Sequence, residues 1–153
     1  MGAMKYARGL GAAVAAVTCY GQSEMAKLAD ISIAVETGPE VVTGSTRMKA
    51  GTAQKMVLNQ ISTGIMIKLG KVYENLMVDV QPTNQKLFDR AKRIITEATG
   101  CTYARAEKLL ELSGSHVKTA IVMEKMGLDR EEALRHLENA GGRISLACGE
   151  NTH

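Results

Sequence analysis

Apolar residues follow two spacings along this chain, and each spacing predicts a different element. Residues 12–18 and 31–35 are short runs of nearly continuous apolar residues, as in parallel strands buried on both faces. A helix end over residues 2–10 precedes the first run, and Ser23 is suited to cap a short helix between the runs. The order helix, strand, helix, strand predicts a parallel sheet and the α/β fold class.

The first apolar run also imitates a targeting signal. Lys5 and Arg8 precede it, and residues 16–19 imitate a lipoprotein cleavage site. The strand is the favoured interpretation, because an α/β pattern continues beyond it. We expect no membrane partner, since no apolar run has the roughly 20 residues of a spanning helix.

A long helical pattern covers residues 46–69. Val57, Ile61 and Ile65 recur at every fourth position, and further apolar residues widen this stripe. The pattern therefore predicts a helix that is buried on more than one side. Residues 71–80 fit neither spacing, and a further helix is predicted over residues 84–98.

The last third of the chain is helical and is punctuated by glycine. Helices are predicted over residues 102–112, 115–126 and 129–140, with glycines where C-terminal caps belong. Asp129 followed by Glu132 predicts a capping box. We expect a small three-helix domain over residues 99–153 that resembles ubiquitin-associated domains, after a first domain over residues 1–98. The chain is helix-rich overall.

Composition and charge narrow the possible functions. The sequence is 45% hydrophobic and 23% charged, which is typical of globular proteins. A net charge of +3 with dispersed basic residues argues against a nucleic-acid partner. The cysteines and histidines have neither disulfide nor metal-ligand spacing, which fits a reduced cytoplasmic setting without a metal. These residues are Cys19, Cys101, Cys148, His116, His136 and His153.

Candidate chemistry lies where the second strand leads into the long helix. Gly44 allows close backbone approach, Ser45 and Thr46 supply hydroxyls, and Arg47 and Lys49 supply positive charge. Helix N-termini favour anions, and ligands of open α/β sheets bind beyond the carboxyl ends of strands. The segment therefore suits a phosphate, a carboxylate or several sugar hydroxyls.

A simpler interpretation of this segment stays open on the residues alone. Ser45 can serve only as a helix cap, and Arg47 and Lys49 can belong to a solvated face. Glu40 can likewise be a carboxylate that stabilises the turn or the helix dipole.

A family resemblance favours the ligand site. Residues 40–55 read EVVTGSTRMKAGTAQK, which resembles the signature of N-acetylmuramic acid 6-phosphate etherases. The related glucokinase regulatory protein carries a similar stretch. The resemblance continues through KVYENLMVDV at 71–80, EATGC at 97–101, KTAIVM at 118–123 and the glycines at 141–142.

The resemblance implies a fold, a reaction and an assembly. The fold is part of a sugar isomerase (SIS) αβα sandwich followed by a small helical domain, and the assembly is a cytoplasmic homodimer. The reaction of these carbon–oxygen lyases removes D-lactate from N-acetylmuramic acid 6-phosphate and leaves N-acetylglucosamine 6-phosphate, in the recycling of cell-wall amino sugars. No cofactor or metal is implied. The substrate-binding residues expected here are Glu40, Ser45, Thr46, Arg47 and Lys49.

Two departures from the family pattern matter. Cys19 is followed by Tyr20-Gly21-Gln22-Ser23, where the family usually has Asn-Pro. The chain is also expected to be a C-terminal half, without the glycine-rich loop and the acid/base glutamates. We therefore assign no catalytic residue and expect the chain alone to be inactive, with the N-terminal half or a second subunit as its partner.

Two other functions remain as alternatives. The chain could be a sugar-phosphate-binding regulatory module without turnover, because fold alone does not separate sensor from enzyme. It could also be a protein-interaction module that works through the helices after Thr99.

Overall fold

Two short parallel strands and the helices around them form the first of two units, Met1–Thr63 and Gly64–His153. The computed structural model describes residues 1–150, so His153 lies outside the described residues. The elements of the first unit are α1 (Gly2–Gly9), β1 (Ala15–Thr18), α2 (Glu24–Leu28), β2 (Ile31–Ala34) and the start of α3 (Lys49–Lys68).

The predicted parallel sheet is confirmed, although β1 is shorter than the apolar run. Ala15 pairs with Ile31 and Thr18 with Ala34 in parallel register. Before β1, the N–H of Val14 donates to the carboxylate of Asp30 at 2.8 Å, so a side chain replaces the strand partner there. The prediction of a strand buried on both faces is wrong for this chain, because Ala15 is exposed, Val17 and Thr18 are half-buried, and Ala16 is the one buried residue of β1.

Helix α3 begins at Lys49, three residues after the predicted start at Thr46. Within the described chain its buried residue is Val57, so burial on more than one side is not observed. Large apolar residues of α3 are instead 42–56% exposed, namely Met56, Leu58, Ile61, Ile65, Met66 and Ile67. Helix α3 thus has the predicted apolar stripe, but the described residues of this chain leave most of it exposed to solvent.

The second unit contains a small hairpin followed by five helices. Its elements are β3 (Val72–Tyr73), β4 (Leu76–Met77), α4 (Gln85–Thr99), α5 (Tyr103–Leu112), α6 (Val117–Met126), α7 (Arg130–Asn139) and α8 (Ile144–Ala147). The predicted helix over 84–98 and the three helices after it are confirmed within three residues at their ends. The hairpin and α8 were not predicted.

Side-chain caps explain where these helices begin. Asn84 accepts from the N–H of Leu87 at 3.0 Å, and Asp129 and Glu132 form the predicted capping box at α7. At the other ends, Gly100 and Gly127 adopt the left-handed conformation that closes α4 and α6. Local sequence therefore determines the bounds of most helices in this unit.

One apolar core runs through the second unit. It joins Tyr73 and Val78 of the hairpin region to Ile95 of α4 and Ile121 of α6. Leu134 of α7 is only half-buried. Residues on both sides of position 98 share this core, and the predicted domain boundary between residues 98 and 99 stays a prediction.

Candidate functional site

The carboxyl ends of β1 and β2 lie at the same edge of the small sheet, because the strands are parallel. Thr18 ends β1 with a turn in which its hydroxyl donates to the carbonyl of Tyr20 at 2.9 Å. The same hydroxyl oxygen accepts from the N–H of Tyr20 at 3.3 Å. Ligands of open α/β sheets bind beyond this end of the strands.

A small polar cavity of about 150 Å³ lies at this edge. Its polar lining consists of Thr18 at the end of β1, Cys19 after it, and Thr46 and Gln54 near the start of α3. The rest of the lining is Gly51 and small apolar residues, namely Val17, Val35, Ala50 and Ala53. The lining therefore combines hydroxyl, thiol and amide side chains with small apolar ones. Of the predicted substrate-binding residues, Thr46 is the one that lines this cavity.

The loop between β2 and α3 presents the candidate segment. Gly44 has a φ of +86°, which glycine tolerates better than other residues, and the N–H of Ser45 donates to the carbonyl of Val42 at 3.1 Å. Beyond this turn, Thr46 and Arg47 are exposed while Ser45 is half-buried. Their hydroxyl and guanidinium groups are therefore at the surface of the first unit or close to it.

Hydrogen bonds of the Glu40 and Lys49 side chains connect the two ends of this loop. The carboxylate of Glu40 accepts from the backbone N–H groups of Lys49 and Ala50, each at 3.1 Å. The ammonium of Lys49 donates to the carbonyl of Pro39 at 2.9 Å. The N–H groups of Ala50 and Lys49 lower the pKa of Glu40, and the Lys49 ammonium adds to this effect, so the carboxylate is ionised at neutral pH.

The first N–H groups of α3 are consequently bonded within the chain. Glu40 binds those of Lys49 and Ala50, the N–H of Gly51 donates to the carbonyl of Thr46 at 2.9 Å, and that of Thr52 donates to the carbonyl of Met48 at 3.1 Å. These N–H groups already have acceptors, so a ligand at this helix start would bind to side chains and not to free backbone donors.

A larger, mainly apolar groove of about 700 Å³ lies beside the loop. It is lined by Val35 and Val41, by Met56 and Val57 of α3, and by the stem of Lys49 among other residues. Such a groove suits an apolar segment better than a sugar phosphate.

Asp79 in the second unit lies within a cluster of charged side chains. Asp79 forms ion pairs with Lys71 and, at 3.9 Å, with the buried Lys118, whose ammonium also donates to the carbonyl of Gly142 at 3.1 Å. The hydrogen bond from Lys71 lowers the pKa of Asp79, while burial lowers the pKa of Lys118 and of His116. This cluster stabilises the fold, and its two ammonium groups share the single carboxylate of Asp79.

Comparison with known proteins identifies the family. Residues 74–118 match the C-terminal lid domain of glucokinase regulatory protein. N-acetylmuramic acid 6-phosphate etherase from Oceanobacillus iheyensis is 56% identical to the chain over 143 residues, which are 94% of the chain and 49% of that protein. The Exiguobacterium etherase is 57% identical over 96% of the chain and 50% of its own length. The Mycolicibacterium smegmatis etherase is 52% identical over 97% of the chain and 50% of its own length.

Over the half of those proteins that it spans, the chain belongs to the N-acetylmuramic acid 6-phosphate etherase family. The family resemblance stated for the sequence is thereby confirmed. The chain spans about half the length of the curated relatives it matches.

In this etherase-family chain, sequence reasoning missed part of the polar cavity. Thr18 was predicted as the end of a strand, Cys19 was given no ligand role, and Gln54 belonged to the family signature without an assigned contact. Their position directly after a parallel strand, or one turn into the helix opposite, was the signal that could have found them.

The described residues of this etherase-family chain hold no other obvious site of known type. Within residues 1–150, no three His, Cys, Asp or Glu side chains are grouped to hold a metal ion, and all three cysteines are free thiols. In the same range no helix has the length and apolar character needed to traverse a lipid bilayer.

Proposed function

We propose that this chain takes part in cleaving the lactyl ether of N-acetylmuramic acid 6-phosphate, which gives N-acetylglucosamine 6-phosphate and D-lactate. The observation that carries the proposal is the 52–57% identity with etherases over nearly the whole chain. The matched region covers 94–97% of the chain. Residues 46–54 of the chain contribute to a small cavity at the carboxyl end of a parallel strand.

The proposed chemistry is an elimination followed by addition of water. A base removes the proton next to the carbonyl carbon of the open sugar, and an acid protonates the ether oxygen as lactate leaves. Water then adds across the double bond. We propose that segment 40–49 binds the substrate, with Ser45, Thr46 and Arg47 supplying hydrogen bonds and positive charge to its phosphate or hydroxyls.

We further propose that the active unit is a cytoplasmic assembly larger than this chain, with an SIS-type sandwich, a dimer interface and acid/base glutamates from a further segment. The half-length match with the etherases supports this proposal. So does the first unit itself, because among its described residues only Ala16 and Val57 are fully buried apolar side chains. A unit with so little core gains stability from covering its exposed α3 face.

Lactate release from N-acetylmuramic acid 6-phosphate tests the proposal. The chain is assayed alone and after co-expression with the part of the Oceanobacillus iheyensis etherase that it does not cover. We expect release from the combination and none from the chain alone. Ser45→Ala and Arg47→Ala in the combination should lower release, while the exposed Lys55→Ala serves as a control on α3 outside the proposed contacts.

Two outcomes would contradict these proposals. Release by the chain alone would place the acid and base within it, and Glu40 would be the first residue to test. A correctly assembled combination that releases no lactate would contradict the proposed etherase activity.

A regulatory sugar-phosphate-binding module is the second candidate. It is favoured by the match of residues 74–118 to the lid domain of glucokinase regulatory protein. Binding of N-acetylglucosamine 6-phosphate by a combination that releases no lactate would support it.

A further inference from the structure

The loop that carries Ser45, Thr46 and Arg47 has almost no buried residue of its own. Val41 is 80% exposed, Val42 is 65% exposed and Met48 is 67% exposed. Apolar burial therefore does not fix the shape of this loop, although the ligand groups of a site must be held in place. Some other interaction has to hold it.

Three hydrogen bonds supply that interaction by joining residues 39–40 to residues 49–50. Two run from the N–H groups of Lys49 and Ala50 to the carboxylate of Glu40, and one runs from the Lys49 ammonium to the carbonyl of Pro39. We call these bonds the clasp. Hydrogen bonds to a charged group are the stronger kind, and a carboxylate at a helix N-terminus also interacts favourably with the helix dipole.

We propose that Glu40 is a positioning residue, whose carboxylate closes the clasp and thereby presents Ser45, Thr46 and Arg47 to a phosphorylated sugar. The ligand part of this inference rests on the proposed function, whereas the clasp does not. A carboxylate aimed at a phosphate would repel it, but both oxygens of Glu40 are occupied by backbone donors. Glu40 therefore acts on the ligand only through the loop.

Amide hydrogen exchange of the whole chain tests the clasp without any ligand. In Glu40→Ala, we expect exchange at Lys49 and Ala50 to accelerate about tenfold or more, because both N–H groups lose a charge-assisted acceptor. Glu40→Gln keeps one amide oxygen as acceptor, so its exchange rates should lie between those of Glu40→Ala and the parent. Glu36→Gln, an exposed glutamate of the same unit, should leave exchange unchanged. Equal exchange in Glu40→Ala and the parent overturns the proposal.

Titration with N-acetylglucosamine 6-phosphate, in the combination described above, tests positioning. We expect Glu40→Ala to weaken binding about tenfold, Glu40→Gln to restore part of the affinity, and Glu36→Gln to bind as the parent does. An unchanged affinity in Glu40→Ala overturns the positioning role. If the parent binds neither this probe nor inorganic phosphate, the proposed function of this segment is overturned. The exchange measurement alone then tests whether Glu40 closes the clasp.

Discussion

The phenol of Tyr73 joins the hairpin, α6 and the chain after α8. The ammonium of Lys125 donates to its oxygen at 2.6 Å, and both carboxylate oxygens of Glu150 lie 3.0 Å from it. Burial raises the pKa of Tyr73, so the phenol keeps its proton at neutral pH and donates it to Glu150. One hydroxyl thus connects residues 77 positions apart in the sequence.

Tyr73→Phe should lower the free energy of unfolding by roughly 1–3 kcal/mol, because removing the hydroxyl takes an acceptor from Lys125 and a donor from Glu150. Lys125 and Glu150 stay paired at 2.8 Å, which limits the loss. Tyr103→Phe is the matched control, since its hydroxyl bonds to Asp89 but the residue is 43% exposed. Urea unfolding of both variants measures the difference, and equal losses would contradict the role given to Tyr73.

Asp79 predicts an acid-sensitive part of the stability. Its pKa is below the usual value of about 3.9, because Lys71 bonds to its ionised form. Its contribution is therefore present above about pH 4 and is lost as the pH falls through the lowered pKa. Asp79→Asn should destabilise the chain by roughly 1–2 kcal/mol at pH 7 and by less at pH 3. Urea unfolding midpoints of the parent and of Asp79→Asn at both pH values check this. An equal difference between the two proteins at pH 7 and pH 3 would contradict it.

The roles of single residues were only partly accessible from the sequence. Glu40 and Lys49 were predicted as substrate-binding residues from their types and their place in the signature. Their hydrogen bonds instead depend on the path of a loop that returns nine and ten residues later. Such contacts leave no period in a sequence, whereas a capping box such as that of Asp129 and Glu132 does.

At the scale of elements, the end of α3 is fixed by close backbone contact. Gly70 has a φ of +67°, and a Cβ atom added there would lie 2.8 Å from Cγ of Arg143 and 2.9 Å from the carbonyl oxygen of Gly142. Both contacts are shorter than side chains tolerate. Position 70, two residues after this helix, must therefore be glycine for conformational and steric reasons.

Gly70→Ala should destabilise the chain more than Gly127→Ala. Both residues have a φ of +67°, so each variant pays about 1–2 kcal/mol for a left-handed conformation. At position 70 the added Cβ also overlaps neighbouring atoms, which costs roughly a further 1–3 kcal/mol. A Cβ added at position 127 has no atom within 4 Å. Thermal or urea unfolding ranks the two, and equal effects would mean that residues 142–143 move freely.

Element prediction succeeded where local signals were dense. Thr102, Asn84 and Asp129 cap helices through their own side chains, so the helix starts follow from sequence. The hairpin strands have two residues each, which is too short for an alternating pattern to appear. The sequence alone also did not identify what covers α3, since an apolar stripe predicts that a helix is covered but not which chain covers it.

At the scale of the whole chain, the two units differ in how much they bury. The second unit has one continuous core from Tyr73 to Ala147, and the first has two fully buried apolar residues among those described. Stability follows apolar burial, so the second unit should account for most of it.

Residues 64–153 expressed alone should therefore unfold cooperatively in urea, whereas residues 1–63 alone should not. Residues 99–153 alone should be much less stable than residues 64–153, because they lack Tyr73, Val78, Ile94 and Ile95 of the core. Circular dichroism of the three polypeptides measures this. Equal stability of residues 64–153 and residues 99–153 would instead support the boundary predicted between residues 98 and 99.

The uncovered face of α3 also exposes sulfur. Met56 is 56% exposed and Met66 is 42% exposed, whereas Met123 in the core of the second unit is 8% exposed. Thioethers at the surface are converted to sulfoxides by dilute peroxide, and buried ones react slowly. Peptide mass spectrometry after a brief oxidation would thus show whether α3 is bare or covered in a cell extract, with Met123 as the internal standard.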